Sequence, residues 1–502
     1  MDISNYIDQS LLNDPSANLS GLPLQGDENQ STVNHLLKAL EARDITGRDT
    51  AGLETSSGAP LKVESLEAQL KVVTFNNETI RLWRKYPKKT AYNTVEEYNQ
   101  LRSYGNDFSG GFNLESELPE EENSTYVRES EKIKYMGTVR SVSYPMTLVR
   151  TQEAIGNIIT RENENGTLWI LRRLSRALTK GNERIISTEV NGLYELQRKG
   201  LVGVGATPEQ YFTQPQVIDK RGDFMKEPDF NKGANQIVEG FGLADTFWAP
   251  PSVISDFTEN FYGNKFIPLN TEAIANGKVG QKVQSFQSQF GEIGMDFDLF
   301  MKRRPNKVST AGKTSTKAPD APNVTAVAVT ATDALSRWDA GDAADYYYAV
   351  SAINRYGESS LAVFATAASA VSDSSIDVTF APTAGVYNSE GYVIYRSNKD
   401  AASVAEATFF PLFEVSEAER ANGYDGGGAG VVRDRNRILP DTEQAFLIEW
   451  NTQVLEIGQL APLTKMDLAL LGPAQRWMIL LYLTQFLYAP LRMVRYINIG
   501  RA

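Results

Sequence analysis

The sequence predicts an α+β protein in which a mixed host fold is interrupted by an all-β domain, and three observations carry that reading. Its 502 residues exceed what one hydrophobic core organises, since single cores stop growing near ~250 to 300 residues, so two or three domains are expected. Residues 151–184 hold the strongest helical periodicity in the chain. Residues 319–439 are rich in Ala, Val, Thr, Tyr and Ser, in short period-two runs separated by turn residues, which is the pattern of a β-sandwich.

Composition narrows the chemistry before any motif is considered. Hydrophobic residues make up 41% and charged residues 22%, so most of the chain is expected to fold. There is no Cys, which removes disulfides, thiolate metal sites and Cys nucleophiles. The single His, His35, lies in a polar stretch and reads as a surface helix residue, so Ser-His-Asp triads and multi-His metal sites lack their parts. A net charge of -12 and only 50 Lys and Arg against 62 Asp and Glu argue against a broad basic face that coats nucleic acid. The opening MDISNYIDQSLLNDPSANLSG has neither a basic n-region nor an apolar run, so no signal peptide is expected. The most apolar segment, 468–490, is interrupted by Gly472, Pro473, Gln475, Arg476 and Gln485 and reads as buried core, too broken for the ~20 apolar residues of a membrane span.

Taken in order, residues 1–70 are Ser-, Asn- and Asp-rich and read as an extended arm, with one amphipathic stretch at 33–42. Strand-like runs at 71–75 and 137–144 flank a short helix expected at 95–102 and a polar excursion over 105–130, where Glu115, Glu117, Glu120, Glu121 and Glu122 crowd together. Within 151–184, Leu168, Leu171, Leu174 and Leu178 form an apolar stripe and Arg172, Arg176 and Lys180 a basic one, with Gly166 expected to break or kink the helix. The apolar stripe reads as packing and the basic stripe as a solvated or salt-bridged face. Short apolar runs between Gly and Pro turns over 185–300 suggest short mixed elements. The run MKRRPNKVSTAGKTSTK at 301–317, with six basic residues, reads as a linker. In the β region, Tyr346, Tyr348, Val350 and Ala352 alternate ahead of a turn at 354–357, and GYVIYR at 391–396 supplies another strand. From 441 the mixed style returns, so the β region looks inserted into a discontinuous host.

No motif carries catalytic chemistry. GLVGVGATP at 200–208 lacks the Lys-Ser/Thr ending of a P-loop and the third glycine of a dinucleotide fingerprint, so it reads as a structural turn. YDGGGAG at 424–430 lacks the Asp/Asn ladder of a calcium loop and reads as a flexible hairpin. Carboxylates are plentiful, which is not a motif by itself and leaves paired acids for glycosidase-like work open. No catalytic, cofactor-binding or metal-ligating residue is therefore assigned, and no cofactor is expected.

Several long strings resemble the major capsid proteins of tailed bacteriophages of the Hong Kong 97 type. GTLWILRRLSRALTKG at 166–181 is similar to that family's spine helix. KGLVGVGATPEQYFTQPQVIDKRG at 199–222 and IVEGFGLADTFWAPPSVISDF at 237–257 resemble the segments leading into its axial domain. LGPAQRWMILLYLTQFLYAPLRMVRYINIG at 471–500 resembles the closing helix and strand. YAVSAINRYGES at 348–359 is similar to part of an immunoglobulin-like or fibronectin type III domain, although the GYVIYR strand follows that element here and normally precedes it.

The resemblance implies a capsid fold divided into an N-terminal arm (1–70), an E-loop (71–150), the spine helix and peripheral domain (151–200), a first peripheral and axial part (201–317), an inserted Ig-like sandwich (318–440) and a return (441–502). It implies self-assembly into hexamers and pentamers that form an icosahedral head around double-stranded DNA. It further implies portal, scaffolding and decoration partners, only non-specific DNA contact, no membrane, assembly in a bacterial cytoplasm, and an insertion displayed on the outer surface. Another virion or tail structural protein, or a carbohydrate-active enzyme with a fibronectin-like module, are the alternatives. Charge suggests inter-subunit contact between the acidic cluster Glu115, Glu117, Glu120, Glu121 and Glu122 and the basic stripe Arg172, Arg176 and Lys180 of an adjacent subunit.

Overall fold

A computed structural model describes residues 79–105, 111–118, 121–148, 157–264, 283–301, 303–469 and 472–501. These lie in one compact unit spanning 72–151 and 155–502. The expected arm, the 33–42 stretch, His35, the strand-like run at 71–75 and Glu120 lie outside the described residues.

The long helix runs Ile158–Lys180 without interruption. Asn157 caps it by accepting from the Ile159 amide at 2.9 Å. Ile170, Leu171, Leu174 and Leu178 are buried, so the apolar stripe is packing as expected. Gly166 does not break the helix. A Cβ there would approach Ile479 Cδ1 to 2.6 Å and Arg140 Cγ to 3.2 Å, so glycine gives room to these side chains of the sheet beneath the helix. That sheet has the strand order Lys88–Thr90, Leu455–Asp467, Ala474–Leu487, Lys134–Ser143. Trp477, Ile479, Leu481 and Leu483 join the helix leucines in one core. The expected closing helix in 471–500 is instead the 14-residue strand Ala474–Leu487 and the strand Met493–Ile499, where a continuous apolar run is held as strand by pairing with Leu455–Asp467 and Lys134–Ser143.

A six-stranded sheet forms a second core. Its order is Val217–Asp219, Met493–Ile499, Glu443–Ile448, Thr246–Ala249, Gly291–Phe297, Ser285–Ser288. Phe230, from the helix Glu227–Glu239, and Phe257, from the helix Pro251–Asn264, pack against Phe247 and Tyr496 of this sheet. The short mixed elements expected over 185–300 are therefore present.

The strands between 307 and 434 build sheets of their own. One contains Gly357–Glu358, Tyr348–Asn354, Gly391–Ser397, Thr408–Ser416 and Lys307–Val308; the other contains Asn323–Thr330, Ser375–Ala381 and Val431–Asp434. Tyr348, Val350 and Ile394 meet Ile376, Val378 and Phe380 between the sheets. The alternate residues Ala349, Ile353, Val393 and Tyr395 pack on the opposite face with Ile185, which follows the long helix. The larger sheet is thus buried on both sides. The segment 301–317 does not behave as a loose linker, since Lys307–Val308 pairs with Thr408 and Phe409 and Arg304 binds Glu414 at 2.6 Å. The YDGGGAG turn is held as well: Asp425 accepts from Arg435 and Arg437, both at 2.9 Å and nearly solvent-free.

The expected helix at 95–102 is a strand, Val95–Ser103, paired antiparallel with Thr125–Lys132 in a two-stranded hairpin. Its Glu, Gln, Leu and Arg content favours helix locally, but cross-strand pairing decides. The base of the hairpin is fixed by Tyr98, edge-on to Tyr488 and Phe486 at 5.0 and 5.6 Å, and by Gln100 Nε2 donating to the Tyr488 carbonyl at 2.8 Å.

Candidate functional site

Two surfaces distinguish this fold, and both involve the charged residues singled out from the sequence. The first is the hairpin end. Beyond its two strands the described residues include a local turn, with the Glu117 amide donating to the Leu114 carbonyl at 3.0 Å. Phe112 is fully exposed and Leu118 is 90% exposed, with Tyr104 at 85% lower on the hairpin. Glu115, Glu117, Glu121 and Glu122 are exposed around them. A two-stranded ribbon with bare apolar groups at its tip is marginal in water, so its stability depends on what covers it.

The second surface is a cleft of about 680 Å³ between the long helix and the β sheets. The helix contributes Arg172, Arg173, Arg176 and Lys180 to its wall. Arg303 and Arg304 enter from the connecting segment and Arg355 from the tip of the Tyr348–Glu358 hairpin; the acidic residues lining the cleft beside these seven cations are Glu189, Glu358 and Glu414. That tip is set by Asn354, whose Oδ1 accepts from the amides of Tyr356 and Gly357 at 2.9 and 3.0 Å, an Asx turn of the kind the sequence signals. Gly357 is required there, because a Cβ would meet Thr314 Oγ1 at 2.6 Å.

The cations divide into neutralised and open ones. Arg303 pairs with Asp441 at 3.0 Å. Burial works against the charge of Arg304, but Glu414 and Glu358 outweigh it and hold the guanidinium above its ordinary value. Against its own burial, Glu358 is held below the usual carboxylate range by Arg304 and Lys307. Arg173, Arg176 and Arg355 are exposed and, among the described residues, make no hydrogen bond or ion pair; Arg173 lies over the Trp169 ring and Arg355 over the Tyr356 ring. Lys180 differs from the rest of its stripe. Burial first, then Arg176 and Arg304, push its ammonium down to about 7 against the pull of Glu443 and Glu414. It belongs to the floor between this cleft and a smaller cavity of about 200 Å³.

The structure therefore gathers Arg172, Arg176 and Lys180 at one cleft and leaves the glutamates at the end of a separate hairpin. Glu115, Glu117 and Glu121 make no ion pair with the basic set within the chain. Arg173 is not singled out from the sequence, and Arg355 is taken in only as part of a turn. The signal for both was present in the strings RRLSR and NRYG, but what joins them is tertiary. Among the described residues no group of three or more Asp, Glu, His or Cys is placed to hold a metal ion, and no helix is long and apolar enough to cross a membrane.

The chain is similar over nearly its whole length to proteins of known role. It is 23% identical over 457 residues to the major capsid proteins of Staphylococcus phages S25-3 and K, covering 90% of this chain and 92% of each of theirs. To the putative major capsid protein of Enterococcus phage phiEF24C it is 21% identical over 460 residues, 90% of this chain and 93% of the other. No family model matches. Among solved structures, that of Mycobacterium phage Adephagia aligns with a TM-score of 0.43 at 10% identity, over 90% of this chain and 99% of that one. The capsid of a native GTA particle aligns at 0.44 and 8% identity, over 90% and 100%. The holo-SrpI encapsulin complex of Synechococcus elongatus PCC 7942 aligns at 0.37 and 9%, over 89% and 96%.

Proposed function

We infer that this chain is a major capsid protein of a tailed bacteriophage, a shell-forming subunit built on the Hong Kong 97-type fold. The observation that carries this reading is its likeness to major capsid proteins over nine-tenths of both sequences, where conservation of full length implies conservation of the whole architecture rather than of one module. The exposed hairpin supports it, since apolar groups with no cover in one copy are what a self-assembling subunit presents to the next.

Function on this reading is assembly. Copies associate into hexamers and pentamers that close into an icosahedral head around packaged double-stranded DNA. Many modest contacts suit this task better than a few strong ones, because an interface worth more than about 10 kcal/mol would trap misplaced subunits while weaker ones sum to a durable particle. The arm at 1–70 and the hairpin within 71–150 serve as extensions that find partners on neighbouring copies. The β sheets within 318–440 form an Ig-like insertion displayed by the host fold of 151–317 and 441–502. Portal, scaffolding and decoration proteins are the further partners, DNA is contacted without sequence preference, and assembly takes place in the bacterial cytoplasm.

Electron microscopy of the overexpressed full chain tests this. Capsomers or closed shells are expected. Fibres, rings or discrete monomers would point to another virion or tail component, and a monomer active on glycans would point to a carbohydrate-active enzyme.

A further inference from the structure

The smaller cavity of about 200 Å³ lies where the end of the long helix, the segment 301–317, the strand Met493–Ile499 and the strand Thr408–Ser416 come together. Six cations line it, Lys180, Arg184, Arg198, Arg303, Arg304 and Arg495, beside three carboxylates, Glu195, Glu414 and Glu419. Each carboxylate is engaged by one of the six: Glu195 binds Arg198 at 2.6 Å, Glu414 binds Arg304 at 2.6 Å, and Glu419 binds Arg184. Lys180, Arg303 and Arg495 stand outside these three pairs.

Arg495 is 7% exposed and forms no ion pair among the described residues. Its guanidinium donates to Gln444 Oε1 at 2.6 and 3.2 Å and to the Tyr211 hydroxyl at 3.0 Å, all neutral acceptors, and lies 4.1 Å from the centre of the Tyr194 ring. Arg303 meets Asp441 through Nη2 at 3.0 Å, while its Nη1 is buried with no hydrogen-bond partner among the described residues. A buried charge without a counter-ion is costly. Three separate elements of the fold therefore bring an excess of positive charge to one small space.

We propose that this cavity binds one small inorganic oxyanion of the phosphate or sulfate class, held by Lys180, Arg303 and Arg495. At about 30 Å³ per water, the space takes such an ion with a few waters around it. A tetrahedral oxyanion accepts in several directions at once, which suits donors arriving from a helix, a connecting segment and a sheet. The two guanidinium groups offer fixed N–H geometry and Lys180 a point charge. The ion would tie the two cores of the fold together, since Lys180 follows Leu178 of the first and Arg495 lies between Val494 and Tyr496 of the second. The site belongs to the single chain, so it stands apart from the shell-subunit reading.

Calorimetric titration of the full chain with sulfate, whose charge is fixed over the pH range used, tests this against chloride at matched ionic strength. One sulfate per chain is expected at pH 6, displaced by inorganic phosphate. Because the anion favours the charged form of Lys180, affinity is expected to weaken at least tenfold between pH 6 and pH 9. The groups acting on that ammonium are Arg176 on its own helix, Arg304 in the connecting segment, Glu414 on Thr408–Ser416 and Glu443 on Glu443–Ile448. Lys180→Met should abolish the pH dependence, and Arg303→Gln should weaken binding at least tenfold at pH 6 while keeping it. Wild-type chain that shows no saturable sulfate binding, or the same affinity at pH 6 and pH 9, overturns the proposal whether or not the variants fold. Sulfate bound equally by wild type and both variants lies elsewhere and overturns it as well. Displacement of sulfate by a single-stranded oligonucleotide would overturn the free ion in favour of a backbone phosphate.

Discussion

The Val95–Lys132 hairpin and the sheet around Tyr348–Asn354 are both antiparallel β structure, yet they sit at opposite ends of the burial scale. In Tyr348–Asn354 every residue is buried, as is every residue of its neighbour Gly391–Ser397. In Val95–Ser103 none is buried and exposed positions alternate with half-buried ones. The difference follows from what each face meets. The sheet has the second sheet on one side and Ile185 on the other, while the hairpin is anchored near its base, by Tyr98 against Phe486 and Tyr488 and by Glu131 bound to Lys199 and Asn191. Hydrogen bonding is common to both; side-chain cover is what separates them.

Substitutions can break or sharpen this contrast. The largest effect is expected at the buried pair Arg396–Asp434, 3.0 Å apart and 1% and 2% exposed. Asp434 also accepts from the Tyr348 hydroxyl at 2.7 Å, so Asp434→Ala should strand a buried guanidinium and cost about 3 to 5 kcal/mol in urea unfolding. A loss under ~1 kcal/mol would mean that this interior is wetter than its burial implies.

Gly166→Ala comes next. The added methyl meets Ile479 and Arg140, so despite a helix-propensity gain of about 1 kcal/mol a net loss of about 1 to 2 kcal/mol is expected from overpacking. Thermal melts give the sign, and a stabilised variant would show that the helix can move off the sheet.

Lys180 provides a pH-dependent test. Its ammonium is depressed from 10.5 to about 7 by burial first and then by Arg176 and Arg304, so between pH 7 and 10.5 the unfolded chain binds more protons than the folded one. Stability from this group must rise with pH across that window, with a slope of at most about 1.4 kcal/mol per pH unit. Lys180→Met should be more stable than wild type at pH 7, and the difference should shrink toward pH 10. Parallel stability profiles for the two proteins would refute it.

On the hairpin the same measurements should barely respond. Arg128→Ala removes an exposed pair to Glu97 at 3.3 Å and should cost less than about 0.5 kcal/mol. Phe112→Ser with Leu118→Ser should leave the melting curve of the isolated chain unchanged while lowering the yield of shells seen by electron microscopy. A large drop in melting temperature instead would show that these side chains are covered within one copy.

The long helix was legible because its pattern is local: Leu171, Leu174 and Leu178 recur at helical spacing and are buried. Leu168 on the same stripe is only partly covered but packs against the same core. The strand Gly391–Ser397 and the turn at Asn354 were legible for the same reason, one from β-branched and aromatic alternation and the other from Asn and Gly chemistry. The strand at Val95–Ser103 was not, because VEEYNQLRS contains good helix formers and its pairing partner begins at Thr125. Nor was Ala474–Leu487, whose run of large apolar residues fits a buried strand or a buried helix equally until its neighbours are known.

What the sequence determined by itself was therefore its local periodicities, its turns, the absence of Cys chemistry and the two sets of opposite charge. Tertiary structure decided which of those charges share a space. Arg173 and Arg355 stand 182 positions apart in the numbering, and no residue pattern relates them. They line one cleft because the sheet of Tyr348–Asn354 packs on Ile185, just beyond the end of the long helix, and burial of apolar surface there has no regard to which guanidinium groups it brings together.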